Sequence, residues 1–283
     1  MSLTESKPIR IGHSPDPDDA FMYFGIARGR VATGGYRVEQ VLEDIESLNR
    51  RAMAGELEVT AISVHAYAHV AHRYALMSCG ASMGEGYGPI VVSRRACPPA
   101  SLREATVAVP GTLTSAFLAL RLYLGVSFPY VVVPFDRILD AVVSGEADAG
   151  LIIHEGQLTY GDLGLVRVLD LGAWWADETG GLPLPLGANA VRRDLGPATM
   201  QALTRMYRDS IAYGLAHRSE ALEYAKAFGR GLDDGRNDRF VGMYVNDRTL
   251  DYGDAGRRSI RAFLDRGAAA GVVPPLGGVD FVS

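Results

Sequence analysis

The chain has 283 residues, of which 48% are hydrophobic and 22% are charged. This composition excludes intrinsic disorder, because the apolar surface is large enough to offset the conformational entropy lost on folding. The net charge is −5, from 28 basic and 33 acidic residues, which argues against a basic surface for a nucleic-acid backbone. The length predicts about two domains.

Cysteine content and apolar runs restrict the class further. The two cysteines, Cys79 and Cys97, are too few for a disulfide framework or a four-cysteine zinc site. The sequence has no apolar run of about 18 residues, as a membrane span requires. Its N-terminus, MSLTESKPIRIGHS, lacks the apolar stretch of a signal peptide. We therefore expect a reduced, cytoplasmic protein that partners neither membranes nor nucleic acids.

Strand-like runs alternate with helical patterns along the chain. The first part predicts strands at 9–12, 38–42 and 59–64, and helices at 20–28, 47–54 and 65–74. The pattern then restarts, with strands at 105–109, 130–134, 147–153 and 166–171 and helices at 116–124 and 137–144. After a Gly/Pro-rich stretch at 180–187, the chain is helical over 197–228 and 254–270. This alternation predicts an α/β fold with mostly parallel strands.

Two strand–turn–helix openings, IRIGHSPDPDDAFMYF and VAVPGTLTSAFLAL, lie in different parts of the chain. They predict two α/β lobes, the first formed by residues 1–95 with 190–283 and the second by 96–189. Ligands of open α/β sheets bind beyond the carboxyl ends of the strands, where both turns lie. A cleft between the lobes is therefore the expected site, although such turns also occur without a ligand.

Thr114 and Ser115 stand at a predicted helix start in the turn PGTLTSA. Small hydroxyl residues commonly cap the backbone N–H groups there. The same N–H groups, with the helix dipole, can instead hold an anion such as a carboxylate.

The first turn is acidic, with Asp16, Asp18 and Asp19 following Ser14 at a helix start. The helix dipole favours carboxylates at this position, which makes helix capping one interpretation. Binding of Mg²⁺ or Ca²⁺ is the other, but the later Glu and the central Gly of a calcium loop are missing. We expect no metal.

His154 follows an apolar strand and precedes Glu155 in GLIIHEG. A neutral imidazole at a cleft edge is suited to general-base work, and a buried structural histidine is the alternative. His65, His69 and His72 share a predicted helix face after the strand that includes Ser63. They could bind a transition metal, but a partly solvated face is favoured. His65, at the helix start, is best placed to meet a ligand.

Absent motifs exclude some functions, and the two tryptophans have two possible roles. The chain has no GxGxxG, Walker or CxxC motif, which argues against nucleotide binding. Trp174 and Trp175 could line a pocket for a flat ring or pack a domain junction.

The segments SPDPDDAFM, VLEDIESLNRRA, GYGPIVV, VAVPGTLTSA, GLIIHEG, DLGAWW, LPLPLGAN and YVNDRTLDYG occur in this order. Together they resemble the 1,4-dihydroxy-6-naphthoate synthase family of the futalosine route to menaquinone. The resemblance runs from about Ile9 to Gly256. It implies a type-II periplasmic-binding-protein-like fold and a lyase that needs no cofactor. It also implies cleavage of a carbon–carbon bond in cyclic dehypoxanthinylfutalosine, which leaves the aromatic naphthoate.

The resemblance assigns His154 as the base, and the hydroxyl pair of its turn falls on Thr114 and Ser115. Ser14, Asp16, Asp18, Ser63, His65 and Glu155 complete the expected substrate site. The ligand is a small-molecule carboxylate, and a homodimer is left open.

The chain departs from the family pattern in its first turn, which usually reads SPCPNDT. Asp16, Asp18 and Ala20 replace Cys, Asn and Thr, and Gly156–Gln157 replaces the Ser–Arg that follows the His–Glu pair. Because an ionised Asp cannot donate a hydrogen bond as Asn does, we expect Asp16 or Asp18 to contact the polyol portion of the ligand. Two alternative functions remain, a solute-binding protein of the same fold and the sister chorismate dehydratase.

Overall fold

The computed structural model describes residues 8–125, 127–229 and 232–283. Residues 1–7, part of the N-terminus from which the absence of a signal peptide was predicted, lie outside these ranges. Strands β1 to β12 span Ile9–His13, Val38–Leu42, Val59–Ser63, Tyr74–Met77, Ser82–Gly84, Ile90–Ser93, Val107–Val109, Tyr130–Val132, Ala149–Ile152, Val166–Asp170, Leu184–Arg192 and Phe281–Val282. Helices α1 to α12 span Pro17–Ala27, Ile45–Ala54, Val64–Val70, Ser115–Leu124, Ile138–Ser144, Gly156–Thr159, Leu171–Thr179, Pro197–Ala216, Arg218–Lys226, Asp234–Tyr244, Asp247–Leu250 and Gly253–Ala269.

The strands form two sheets. The first has the order β12–β4–β11–β3–β1–β2, with β5 also paired to β11, and the second has the order β10–β6–β9–β7–β8. The chain builds β1 to β5 in the first sheet, crosses to the second for β6 to β10, and returns with β11. The two-lobed α/β architecture predicted from the sequence is therefore confirmed.

The sheets are mixed, so the expectation of mostly parallel strands was wrong. Parallel pairing holds in β2–β1–β3 and in β8–β7–β9, where helices connect the strands. The two strands that enter a sheet from the other lobe, β6 and β11, are antiparallel to β9 and β10 and to β3, β4 and β5 respectively. A parallel pair needs a crossover connection within one sheet. Strands β6 and β11 arrive directly from the other lobe, so they run antiparallel to these neighbours.

The crossings also differ from the predicted lobe limits after residues 95 and 189. Strand β6, Ile90–Ser93, already pairs in the second sheet, and β11 begins in the first sheet at Leu184. The lobe limits themselves stay a prediction. The short strands β4, β5 and β6 were not predicted, because they follow one another without helices and the predicted helix over 65–74 ends at Val70. Strands β11 and β12 were not predicted either, and β11 includes part of the stretch that was marked only as Gly/Pro-rich.

Helix α7 forms from a segment that the sequence marked only as aromatic and apolar. Asp170 caps it by accepting the N–H groups of Gly172 and Ala173, at 3.0 and 3.1 Å. A Cβ at Gly172 would lie 1.9 Å from the backbone of Tyr87, in the segment that crosses between the sheets. Only glycine allows this approach, which explains the glycine at position 172.

A continuous apolar core joins the two lobes. It includes buried residues of α3 and β11 from the first lobe and of α4 and β7 from the second. Trp175 is completely buried in it, and its indole N–H donates to the Ser259 hydroxyl at 3.0 Å. Trp175 therefore packs in the core that the two lobes share, next to α12. Within the described residues, no helix is long and apolar enough to cross a membrane.

Candidate active site

A cavity of about 690 Å³, including its mouth, lies between the lobes. It is at the carboxyl ends of β1, β3, β7 and β9, as expected for an open α/β sheet. Seven of the predicted site residues line it: Ser14, Asp16, Asp18, Ser63, Thr114, Ser115 and His154. The walls between them are mostly apolar, and neither tryptophan is among the lining residues.

The histidine of the second lobe meets an aspartate of the first lobe across this cavity. His154 Nδ1 lies 3.0 Å from Asp16 Oδ2, and both side chains are largely shielded from solvent. Asp16 occupies the N-cap position of α1, yet its side chain makes no capping hydrogen bond. When Nδ1 donates its proton to Asp16, the lone pair of the neutral ring lies on Nε2.

Asp16 is linked in turn to a second aspartate through one hydroxyl. Ser14 Oγ lies 2.7 Å from Asp16 Oδ2 and 2.8 Å from Asp19 Oδ2, and the Ser14 N–H donates to the same Asp19 oxygen at 2.9 Å. All three residues are buried. The four side chains from Asp19 to His154 therefore form one continuous chain of polar contacts.

Burial and mutual repulsion disfavour ionisation of two of the three acids in this turn. Burial, with the nearby charge of Asp16, raises the pKa of Asp19 to about 6, although hydrogen bonds from Ser14 oppose the shift. Burial together with Asp19 and Asp16 raises the pKa of Asp18 well above its usual range. The Ser82 hydroxyl, 3.4 Å from Asp18 Oδ2, is a weak donor to this carboxyl.

Thr114 and Ser115 begin α4, but their hydroxyls serve the protein. Thr114 Oγ1 accepts the Phe117 N–H at 3.2 Å and donates to the Gly111 carbonyl at 3.1 Å. Ser115 Oγ accepts the His65 N–H at 3.2 Å and donates to the Leu186 carbonyl at 2.5 Å. An anion at this helix start would therefore meet backbone N–H groups of the first turn, which a helix leaves for outside acceptors.

Helix α2 holds the turn before α4 in place from the other lobe. Glu46 Oε2 accepts the Leu113 N–H at 3.1 Å, and burial raises the pKa of this carboxyl. Asn49 and Ser63 exchange two hydrogen bonds, from the Ser63 N–H at 2.9 Å and from Asn49 Nδ2 at 3.0 Å. Helix α2 thus fixes the position of the turn before α4, in one lobe, relative to the end of β3, in the other.

Two predicted residues lie away from the cavity wall. His65 is buried behind it, where its Nδ1 lies 3.1 Å from the Thr114 carbonyl and burial lowers its pKa to about 4. Its ring lies 5.8 Å from that of His69, whereas His72 is exposed beyond the end of α3. Glu155 lines a neighbouring cavity that shares Ile153 and His154 with the first.

Asp16, His154 and Glu155 are the group that could hold a divalent cation. Their ligand atoms all lie within 4.8 Å of one another, and no other such group occurs in the ranges that the structure describes. Carboxylate and imidazole ligands suit Zn²⁺ and similar ions. The three histidines of HAYAHVAH do not form such a group.

Several lining residues were missed by sequence reasoning. Asp19 was noted only for its charge, and Phe240 and Tyr244 come from the distant helix α10. Tyr244 and the Gln157 amide exchange hydrogen bonds at 3.0 and 3.2 Å, and burial raises the pKa of Tyr244. The available signal was the segment YVNDRTLDYG, which begins at Tyr244, and the unusual Gln157.

These features define a class: a two-lobed α/β protein with a cavity between its lobes and a buried acid–histidine pair in the cavity wall. The fold agrees with the alkanesulfonate-binding protein of Xanthomonas axonopodis pv. citri, which is 13% identical with a TM-score of 0.69 and 96% of each chain covered. At this identity the likeness concerns the fold alone.

Closer relatives identify the family. Residues 9–269 match the family described as menaquinone biosynthesis. A 1,4-dihydroxy-6-naphthoate synthase of Thermus thermophilus is 45% identical over 94% of this chain and 96% of its own. The Streptomyces coelicolor protein of the same name is 38% identical over 95% and 96%. The crystal structure of an Archaeoglobus fulgidus protein is 46% identical, with a TM-score of 0.90 over 95% of this chain and 100% of that one. The chain belongs to this menaquinone biosynthesis family.

Proposed function

We infer that this protein is a carbon–carbon lyase that forms 1,4-dihydroxy-6-naphthoate in menaquinone biosynthesis. The supporting observation is the pairing of His154 with Asp16 at 3.0 Å inside the inter-lobe cavity, in a chain whose named relatives are synthases of this product. The proposed substrate is cyclic dehypoxanthinylfutalosine, a carboxylate with a ribose-derived portion.

The proposed reaction needs a base and a closed site. The Nε2 atom of His154 removes a proton from a substrate hydroxyl. The O–H electron pair becomes the new carbonyl bond, the adjacent carbon–carbon bond breaks, and its electrons enter the ring that becomes aromatic. A positioned general base contributes typically 10²–10⁴-fold to such a step. Because the forming aromatic ring accepts the electrons, the protein needs only to hold the substrate, take the proton and exclude water.

We place the substrate carboxylate at the start of α4. Ser115 and Ala116 line the cavity there, and their N–H groups belong to the first turn of the helix, where the dipole favours negative charge. The three aspartates of the first turn lie in the opposite lobe, so the carboxylate is also kept away from like charge.

We place the polyol portion against Asp18. Asp16 Oδ2 is already shared by His154 and Ser14, whereas Asp18 receives backbone N–H groups of its own turn and one weak side-chain donor, Ser82. A buried carboxyl must find a donor or keep its proton. Hydroxyl groups of a ribose-derived fragment can serve as donor or acceptor and so suit either state.

The decisive experiment is incubation of the protein with cyclic dehypoxanthinylfutalosine and chromatographic detection of the naphthoate. His154→Ala should slow product formation by at least about 10²-fold, while His72→Ala, at an exposed histidine, is the matched control. Absence of naphthoate with the wild-type protein, or full turnover by a folded His154→Ala variant, would refute the proposal.

Two alternatives have distinct outcomes in the same assay. A chorismate dehydratase would consume chorismate and leave the futalosine derivative unchanged. A solute-binding protein would bind a ligand without converting it. The named relatives favour the synthase, and the resemblance to binding proteins concerns the fold alone. A cytoplasmic location and a homodimeric state remain proposals, to be tested by fractionation and by light scattering.

A further inference from the structure

One serine hydroxyl stands between two carboxyl oxygens in the candidate site. Ser14 Oγ is 2.7 Å from Asp16 Oδ2 and 2.8 Å from Asp19 Oδ2, and both distances are those of O–H···O hydrogen bonds. A hydroxyl has a single proton, so it can donate to only one of the two oxygens. The other contact needs a proton of its own, which one of the carboxyls must provide.

The position of that additional proton follows from what each carboxyl already accepts. Asp16 Oδ2 faces His154 Nδ1 as well as Ser14 Oγ, and Asp19 Oδ2 accepts the Ser14 backbone N–H besides contacting Ser14 Oγ. An imidazole can carry a positive charge and a backbone N–H cannot, so the ionised form is favoured more strongly at Asp16. With the proton on Asp19, its carboxyl donates to Ser14, the hydroxyl donates to Asp16, and the imidazole N–H also donates to Asp16. The ionised Asp16 then receives two donors, while the neutral Asp19 avoids a second buried negative charge.

We propose that Asp16 is a positioning residue that holds His154 as the Nδ1–H tautomer, and that Ser14 and Asp19 brace Asp16 through a hydrogen-bond chain that stores one proton. This inference rests on the proposed role of His154 as the base. Asp16 would leave Nε2 as the basic atom and stabilise the imidazolium formed when Nε2 takes the substrate proton. Ser14 and Asp19 touch no reacting atom.

The surrounding charges agree with this assignment. Asp18 and Glu155 are the other acids near the pair, and Tyr207 and Tyr244 are the titratable groups that approach Asp19 and Asp18 from the helical side. His13 lies beyond Ser14, where its Nδ1 contacts the Ser14 carbonyl at 2.8 Å and burial lowers its pKa to about 4. Burial raises the pKa of Asp19 to about 6 and that of Asp18 well above its usual range, which agrees with a proton held on the Asp19 side of Ser14.

The resting network can be tested without substrate. Nitrogen-15 NMR of histidine-labelled protein distinguishes the two tautomers, and His154→Ala assigns the resonance among the six histidines. We expect Nδ1–H for His154. Infrared difference spectra of wild type against Asp19→Asn, at about pH 5 and thus below the pKa of Asp19, should show the loss of a protonated carboxyl band. An Nε2–H tautomer, or a band that Asp19→Asn leaves intact, would overturn the inference.

Kinetics then test the positioning role. Asp16→Asn keeps an oxygen that can accept the Nδ1–H but removes the charge, so kcat should fall at least about tenfold. The acidic limb of the pH–rate profile should also move to lower pH, because an imidazolium without its carboxylate partner is less stable. Asp209→Asn, at an exposed aspartate on α8, is the control. An unchanged acidic limb with unchanged kcat would refute the role of Asp16.

The outcomes separate this inference from the proposed function. If the wild-type protein forms no naphthoate, the proposed function fails, and the NMR and infrared results still decide whether the network exists. If naphthoate forms but His154 is the Nε2–H tautomer, the function stands and the network is wrong.

Discussion

Asp19 makes the stability of the protein depend on pH in a direction opposite to that of most carboxylates. Burial raises its pKa from 3.8 to about 6, so the folded state binds more protons than the unfolded state between these values. The full stability is present below the unfolded pKa and is lost as the pH rises through the folded pKa. The difference between the folded and unfolded pKa values corresponds to about 3 kcal/mol.

Asp19→Asn should therefore be less stable than the wild type at low pH and more stable at high pH. The amide cannot ionise, so the loss of about 3 kcal/mol at high pH is absent, but one hydrogen bond with Ser14 is lost at a cost of about 1 kcal/mol. We expect the variant to be about 1 kcal/mol less stable near about pH 4 and about 2 kcal/mol more stable near about pH 7.5. Relief of the repulsion on Asp18 acts in the same direction.

Urea unfolding at a series of pH values measures this difference, with wild type and variant compared in each buffer so that other titrating groups cancel. Asp209→Asn, an exposed aspartate on α8, should follow the wild type throughout. A stability difference between Asp19→Asn and wild type that is the same at every pH would show that Asp19 titrates normally, and the electrostatic account of this turn would be wrong.

The other predictions concern the base, the helix start, the polyol and metals. His154→Ala should lower kcat by at least about 10²-fold in a folded protein, as measured by naphthoate formation. Thr114→Ala should cost about 1 kcal/mol in urea unfolding because the cap of α4 is lost, and Thr114→Ser should restore it; replacing Thr114 and Ser115 together by Ala should also raise KM. Asp18→Asn should change kcat/KM for the futalosine derivative several-fold, and an unchanged value would remove Asp18 from the polyol site. Dialysis against EDTA should leave activity unchanged, because Asp16 Oδ2 already accepts from His154; reactivation by added Zn²⁺ would contradict this.

Much of the site could be predicted because its parts are local. The strand–turn–helix openings place Ser14, Asp16 and Thr114 at the ends of strands, and seven of the predicted residues do line one cavity. The role of each side chain could not be predicted in the same way. Thr114 and Ser115 use their hydroxyls inside the protein, and the next residue after His154, Glu155, faces a different cavity.

The sequence by itself determined the α/β class, the positions of most helices and the two turns that meet at the cleft. Hydrophobic periodicity, caps and glycine stops act over a few residues, so they can be found without knowing the fold. Only the tertiary structure decided the mixed order of the sheets and the partner of His154. Asp16 belongs to the other lobe, and it joins His154 because β1 and β9 end on opposite sides of one cavity. Contacts of this kind depend on how the sheets are arranged in space, which no local pattern encodes.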